Sequence, residues 1–145
     1  MNTMPMSVRV ALAGDLKAYL PESYQLASFI TSIKTAPLYA LHALKSSDAT
    51  WRPGLHHINK GYAIDLEVWE MPLTQFAMFV LDIAPPLALG NIQLADGSWV
   101  KGFVCEDYAL KNARDISHYG GWRNYCEANK SNTRFQCNCI GEIRQ

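Results

Sequence analysis

The sequence lacks the features of a membrane-bound, secreted or nucleic-acid-binding protein. Its N-terminal apolar stretch, Val8 to Ala13, is interrupted by Arg9 and is far shorter than the roughly 20 residues of a membrane span. The 13 basic and 13 acidic residues cancel, so the chain has no overall positive charge that would attract nucleic acid. We therefore predict a cytoplasmic protein that has neither a membrane nor a nucleic acid as partner.

Cysteine is scarce and unevenly spaced. The chain has four cysteines, of which Cys137 and Cys139 form a C-x-C pair without a second pair or a histidine at zinc-site spacing. The pair His56-His57 follows a predicted turn, and adjacent side chains on an extended segment point to opposite faces. The sequence therefore predicts reduced thiols, no metal site and no cofactor.

Established catalytic motifs are also missing. The chain contains no G-x-S-x-G, no G-x-x-x-x-G-K-[ST], no H-E-x-x-H and no G-x-G-x-x-G. These absences remove the motif-based arguments for an α/β-hydrolase, a P-loop nucleotidase, a zinc protease or a dinucleotide-binding enzyme.

The residues that are present predict one domain with a sizeable core. The chain has 145 residues, 49% of them hydrophobic, which suffices for a core without covalent cross-links. Alternating apolar residues predict strands over Ser7–Ala13, Phe29–Thr35, Leu38–Leu44 and Tyr62–Trp69, and a hairpin over Asn91–Cys105. The hairpin is predicted to turn at the dipeptide Asp96-Gly97.

Helices are predicted at three places, the first a short segment that begins at Pro21-Glu22-Ser23. Pro72 suits a first helical position, and the apolar residues from Leu73 to Ile83 follow at helical spacing. The pattern is helical again after Glu106, and Arg52–Leu55 reads as a turn. Because helices do not alternate regularly with strands, we predict an α+β domain with a small, mixed, barrel-like sheet and flanking helices. It spans residues 1–128, followed by a polar tail, 129–145.

The loop after the first strand is one candidate binding element. A chain that leaves a strand through Gly14 is able to direct successive backbone N–H groups at an anion, although an ordinary strand-ending turn is the alternative. Asp65 and Glu67 share one face of a predicted strand. They are either an acid–base pair inside the barrel or carboxylates on a solvated face.

Two cations are further candidates for holding a carboxylate. Lys101 lies on the same predicted strand face as Trp99 and Phe103, where it either binds an anion or extends to solvent. Arg123 follows Gly120-Gly121 and offers a planar guanidinium for a carboxylate; a surface salt bridge is the alternative.

Five stretches, in order, resemble the C-terminal domain of allophanate hydrolase. The resemblance covers roughly residues 8 to 126, and the ordered series is more specific than any one piece. The stretches are Thr35–Tyr39 (TAPLY), Arg52–Leu55 (RPGL), Glu67–Pro72 (EVWEMP), Leu94–Phe103 (LADGSWVKGF) and Asp115–Arg123 (DISHYGGWR).

The resemblance implies a γ-glutamylcyclotransferase-like fold and a role in urea-derived nitrogen metabolism. Such domains help to convert N-carboxycarbamate to ammonia and carbon dioxide after a separate amidase domain has acted. Related folds hold a small carboxylate on the loop after the first strand, which corresponds here to Gly14, Asp15 and Leu16. Tyr39, Lys101 and Arg123 are then the expected side-chain partners of the ligand.

The chain departs from the family at the acid–base group. The family carries a histidine shortly after the loop glycine, whereas residues 15 to 17 here are Asp, Leu and Lys. Asp15 or Asp82 would have to transfer the proton. Two functions therefore stay open: a carbamate-cleaving enzyme, or a non-catalytic module that binds a small acid or pairs with a separate amidase. We also expect a stand-alone domain that forms a homodimer.

Overall fold

The computed structural model describes residues 6–14, 26–45 and 51–130. Within these residues the chain forms eight strands and two α-helices, α1 (Leu73–Leu81) and α2 (Trp122–Asn129). Two 3-10 turns, Asp107–Leu110 and Ser117–Tyr119, lie between the last long strand and α2. The strands are β1 (Ser7–Leu12), β2 (Ser28–Lys34), β3 (Tyr39–Lys45), β4 (Trp51–His57), β5 (Asp65–Pro72), β6 (Leu87–Gln93), β7 (Trp99–Cys105) and β8 (Arg114–Asp115).

The strands form a five-stranded sheet, in the order β2-β5-β1-β7-β6, and a three-stranded sheet, in the order β4-β3-β8. The larger sheet is mixed, because β1 and β7 are parallel while its other neighbours are antiparallel. It curls until its two edge strands meet at one end. There the Ala95 N–H donates to the Lys34 carbonyl, and the Ala36 N–H donates to that of Gln93, both at 2.9 Å. The prediction of an α+β fold with a mixed, barrel-like sheet is confirmed.

Each face of the larger sheet has its own core. Alternate residues of β1 point to opposite sides. Ala11 therefore joins the cluster that contains Trp122, whereas Val10 and Leu12 join a second cluster. Helix α1 covers the second cluster, and its Phe79 packs edge-on against Phe103 at 4.8 Å. The first cluster, with α2 against it, is the larger core.

The segment Arg52–Leu55, predicted to be a turn, lies inside β4, so that prediction is wrong. Strand β4 is an edge strand of its sheet, where a proline is tolerated. Gly54 is needed for close packing, since a Cβ there would lie 2.7 Å from Leu44 Cδ1 and 3.1 Å from Cys105 Sγ.

The β6–β7 hairpin is confirmed, but its predicted two-residue turn is wrong. The Leu94 N–H donates to the Ser98 carbonyl at 2.8 Å, which leaves a three-residue loop. Gly97 takes φ 90°, and its N–H donates to the Leu94 carbonyl at 2.9 Å. A three-residue loop of this kind needs the left-handed residue at its third position, which explains the glycine.

The helical predictions are partly confirmed, and the segment at Pro21-Glu22-Ser23 lies outside the described residues. Helix α1 begins at Leu73, with Pro72 at its N-cap, and buries Gln75 and Phe79, while Leu73 is itself exposed. The stretch after Glu106 is not one helix, because the short strand β8 interrupts it before α2. In the part of the chain that the structure describes, no helix has the length and apolar character to cross a membrane.

The two cysteines among the described residues differ in state. Cys105 is a buried free thiol, and burial raises its pKa to about 11. Cys126 is disulfide-bonded, so the prediction of reduced thiols is wrong for this residue. Cys137 and Cys139, with the predicted tail from 131 onward, lie outside the described residues.

A polar cluster around the buried Ser117 joins β3 to β8. Ser117 is buried; its Oγ accepts the Leu41 N–H at 2.8 Å and donates to Asp115 Oδ1 at 2.6 Å. His42 pairs with Asp115 across the strands, and its Nδ1 has no hydrogen-bond partner in the described part of the chain. Burial lowers the pKa of His42 below 6.5, although the Asp115 carboxylate opposes this shift.

The lowered pKa of His42 predicts acid sensitivity. Between the folded-state pKa of His42 and 6.5, the unfolded chain binds more protons than the folded one. The free energy of unfolding therefore rises with pH in that window, and the contribution of His42 is lost as pH falls through it. His42→Asn should flatten this slope in urea unfolding measured between pH 5 and 7.5. At pH 7.5, where His42 is neutral, the difference in free energy of unfolding between His42→Asn and the parent protein measures the effect of the substitution on packing alone. An unchanged slope would contradict the prediction.

Candidate functional site

Four parts of the fold surround one depression. The end of β1, the end of β2, the start of β5 and the start of α2 meet around a volume of about 390 Å³. Its polar and glycine lining consists of Gly14, Ser32, Lys34, Asp65, Glu67, Arg123 and Asn124. We call this volume the Gly14 depression.

Helix α2 reaches the depression because two glycines precede it. Gly120 takes φ 81°, and its carbonyl accepts the Asp65 N–H at 2.8 Å. A Cβ on Gly121 would lie 2.8 Å from Asp65 Oδ2 and 2.9 Å from Asp65 Cβ, so only glycine allows this approach without displacement. No side chain caps the helix at Gly121. The first-turn N–H groups and the positive end of α2 therefore lie beside the start of β5.

The charged side chains of the depression form two ion pairs. Lys34 Nζ contacts Asp65 Oδ1. Arg123 donates to Glu67 Oε2 from Nη2 at 2.7 Å and from Nε at 3.1 Å. The other oxygen of Glu67 accepts the Trp69 indole N–H at 3.1 Å. These four charges cancel, so an incoming anion would compete with Glu67 and Asp65 for the two cations.

Trp122 also lines the depression. Its side chain is fully buried, and its indole Nε1 finds no hydrogen-bond acceptor among the residues that the structure describes. A buried donor without an acceptor costs about 1–3 kcal/mol. An acceptor atom that reached this N–H would recover part of that free energy.

The structure brings some of the predicted site residues together. Gly14 is buried at the depression, and Arg123 lines it. Asp15 and Leu16 follow Gly14 but lie outside the described residues, so their assignments stay predictions.

The other predicted residues lie elsewhere. Tyr39 is 1% exposed, and its hydroxyl accepts the Gln93 N–H at 2.9 Å, so it holds the end of β6. Lys101 is exposed, donates to Asn91 Oδ1 at 2.8 Å and lines a different depression, together with Arg9. Asp82 is exposed at the C-terminal end of α1. None of the three lines the Gly14 depression as the described residues define it.

Sequence reasoning missed Lys34 and Trp122 as residues of this site. The available signal was Gly120-Gly121 directly before Trp122, since paired glycines permit a close approach. Asp65 and Glu67, for which two interpretations were open, both line the depression. Among the described residues, no three His, Cys, Asp or Glu side chains cluster in a way that would hold a metal ion.

Comparisons with known proteins all indicate the same family. A family model for the allophanate hydrolase C-terminal domain matches residues 8–127. The chain is 35% identical over 129 residues to urea amidolyase of Saccharomyces cerevisiae, covering 83% of this chain and 7% of that protein. It is 34% identical to the solved allophanate hydrolase of Kluyveromyces lactis, with a TM-score of 0.75, covering 84% of this chain and 21% of that one. The chain therefore spans a small part of these relatives.

Two further structures resemble this chain to different degrees. A uropathogenic E. coli-specific protein is 29% identical with a TM-score of 0.72, and the match covers 84% of this chain and 97% of that protein. A gamma-glutamyl cyclotransferase has a TM-score of 0.53 at 12% identity, covering 87% of this chain and 80% of that chain, a likeness that shows the fold alone. The predicted γ-glutamylcyclotransferase-like fold is thereby confirmed.

The close approach at Gly121 predicts a substitution effect. Gly121→Ala should lower the free energy of unfolding by about 1–3 kcal/mol, because the new Cβ meets the β5 residue Asp65 below 3.0 Å. Urea denaturation measures the change. Gly90→Ala is the matched control and should cost less, since its nearest neighbour is a Val104 methyl at 3.1 Å. Equal effects of the two substitutions would contradict this account of α2.

Proposed function

This chain belongs to the family of allophanate hydrolase C-terminal domains, and we propose that it binds a small carboxylate or carbamate in the Gly14 depression. One observation carries the proposal. The start of α2, the cations Lys34 and Arg123, and Trp122 all line that single depression. Uncapped N–H groups at a helix start favour anions.

The ligand class follows from the size and charge of the site. The ion pairs balance each other, so a ligand has to offer acceptors that replace those of Glu67 and Asp65. A compact dianion with two carboxylate-like ends satisfies this requirement, because each end replaces one protein carboxylate. N-carboxycarbamate, malonate and oxalate share this chemistry.

The proposed reaction is the decarboxylating cleavage of N-carboxycarbamate. One C–N bond breaks, its electron pair passes to nitrogen, and nitrogen takes a proton, giving carbon dioxide and carbamate. The carbamate then takes a second proton and breaks to ammonia and carbon dioxide. Protonation of the leaving nitrogen lowers the barrier, so the site needs an acid–base group.

Two carboxyl groups are proposed for that role. Asp15 follows Gly14 directly in the chain, and Glu67 lines the depression with hydrogen bonds from Arg123 and Trp69. Asp82, at the exposed end of α1, stands outside this arrangement and receives no support from it. The proposed setting is urea-derived nitrogen metabolism in the cytoplasm, and the proposed assembly is a homodimer.

The second candidate is a binding module without catalysis, or a partner of a separate amidase. The observation in its favour is that the family histidine is replaced in residues 15 to 17. Both lining carboxylates among the described residues are also already paired with cations.

Ligand binding is tested by thermal shift. Malonate and oxalate should raise the melting temperature, and a ligand at 100 times its Kd stabilises by about 2.7 kcal/mol. Arg123→Gln should raise the ligand concentration needed for the same shift in melting temperature at least tenfold. Lys130→Gln, at the residue directly after α2 and outside the depression, is the control and should keep the response. The absence of a shift with malonate, oxalate and glutamate would overturn the binding proposal.

Catalysis is tested in a coupled assay. Purified protein, added to an amidase that produces N-carboxycarbamate, should accelerate the release of carbon dioxide and ammonia. Glu67→Gln should lower the rate, and Asp15→Asn tests the second carboxyl group. Glu127→Gln, an exposed carboxylate on α2, should retain the rate of the parent protein. If the protein binds the ligand but releases carbon dioxide and ammonia no faster than the amidase alone, the enzyme hypothesis is excluded and the binding-module hypothesis is kept.

A further inference from the structure

A second and larger depression lies away from the Gly14 depression. It has a volume of about 690 Å³, within the range of roughly 300–1,000 Å³ that small-molecule sites occupy. It is bounded by the ends of β3 and β4, by residues 84–87 after α1, and by the 3-10 turn Asp107–Leu110. We call it the Pro85 depression.

The walls of the Pro85 depression suit a flat apolar body. Pro85 and Pro86 form part of one side, and the aromatic residues Trp51 and Tyr108 also line it. Tyr108 is 60% exposed, so its ring is accessible to a ligand. Aromatic side chains favour stacked or edge-on contact with another ring.

The charged side chains among the described lining residues are both basic. Lys45 and Arg52 line the depression, and no carboxylate does so among the described lining residues. Lys45 Nζ lies 5.9 Å from the centroid of the Trp51 ring. This differs from the Gly14 depression, where Lys34 and Arg123 are each paired with a lining carboxylate.

Arg52 provides the most specific observation. Its Nε is buried and has no hydrogen-bond partner within residues 6–14, 26–45 and 51–130. A buried N–H of a charged group that lacks an acceptor is costly, and bonds from charged donors are the stronger kind. A ligand that carried a carboxylate would supply the missing acceptor and neutralise the excess positive charge.

From these observations we propose that the Pro85 depression is a second ligand site, which binds a small planar organic anion of the aromatic carboxylate class. The ring of the ligand lies among Trp51, Tyr108 and the prolines, and its carboxylate pairs with Arg52 and Lys45. This inference is independent of the proposed function, because it uses no residue of the Gly14 depression.

The test compares 2-naphthoate with two matched probes by isothermal titration calorimetry on the full chain. 2-Naphthamide keeps the ring and lacks the charge, whereas acetate keeps the charge and lacks the ring. 2-Naphthoate should bind at least tenfold more tightly than either. Excess malonate should leave its Kd unchanged, which separates this site from the Gly14 depression.

Variants locate the binding site. Arg52→Gln should weaken 2-naphthoate binding about tenfold or more, and Lys45→Gln should weaken it less. Lys60→Gln, an exposed residue that does not line the depression, should bind like the parent protein. Circular dichroism verifies folding; if Arg52→Gln does not fold, Arg52→Lys and Lys45→Gln decide. Equal binding of 2-naphthamide, displacement by malonate, or unchanged affinity in folded Arg52 and Lys45 variants would overturn the proposal.

Discussion

The contact between Gly121 and Asp65 is the constraint on which the candidate site depends. It allows α2 to begin against the first residue of β5, so a helix terminus and the end of an interior strand share one small volume. The same approach buries Trp122 in the main core and leaves its indole N–H unpaired. A side chain at residue 121 would separate the helix from the strand and remove the geometry that favours an anion.

Most of the fold was accessible from the sequence because binary pattern and turn chemistry agreed along the chain. β5 and the residue before it illustrate this agreement: Ile64, Leu66 and Val68 alternate with polar residues, and all three are buried. The failures came where local signals had another cause. Pro53 and Gly54 indicate a turn by propensity, yet both lie in β4. The edge position of β4 tolerates Pro53, and Gly54 permits close packing against Leu44 and Cys105.

The site was less predictable, since its residues meet only through the tertiary fold. Gly14 and Arg123 were identifiable from a strand end and a glycine pair. Lys34 carries no local pattern and enters the site only because β2 pairs with β5. Tyr39 and Lys101 belong to conspicuous motifs, but Tyr39, on β3, is buried in the core, and Lys101, on β7, lines a different depression. Motif membership and shared location are therefore separate properties.

The closure of the larger sheet has a consequence for assembly. Ala36 and Ala95 engage the backbone across the junction of β2 and β6, and Thr35 Oγ1 also accepts the Ile64 N–H at 3.0 Å. These groups are consequently not available to template a foreign strand at that end. A second polypeptide that docked there would have to recognise side chains, because the backbone groups at this junction are already hydrogen-bonded within the protein.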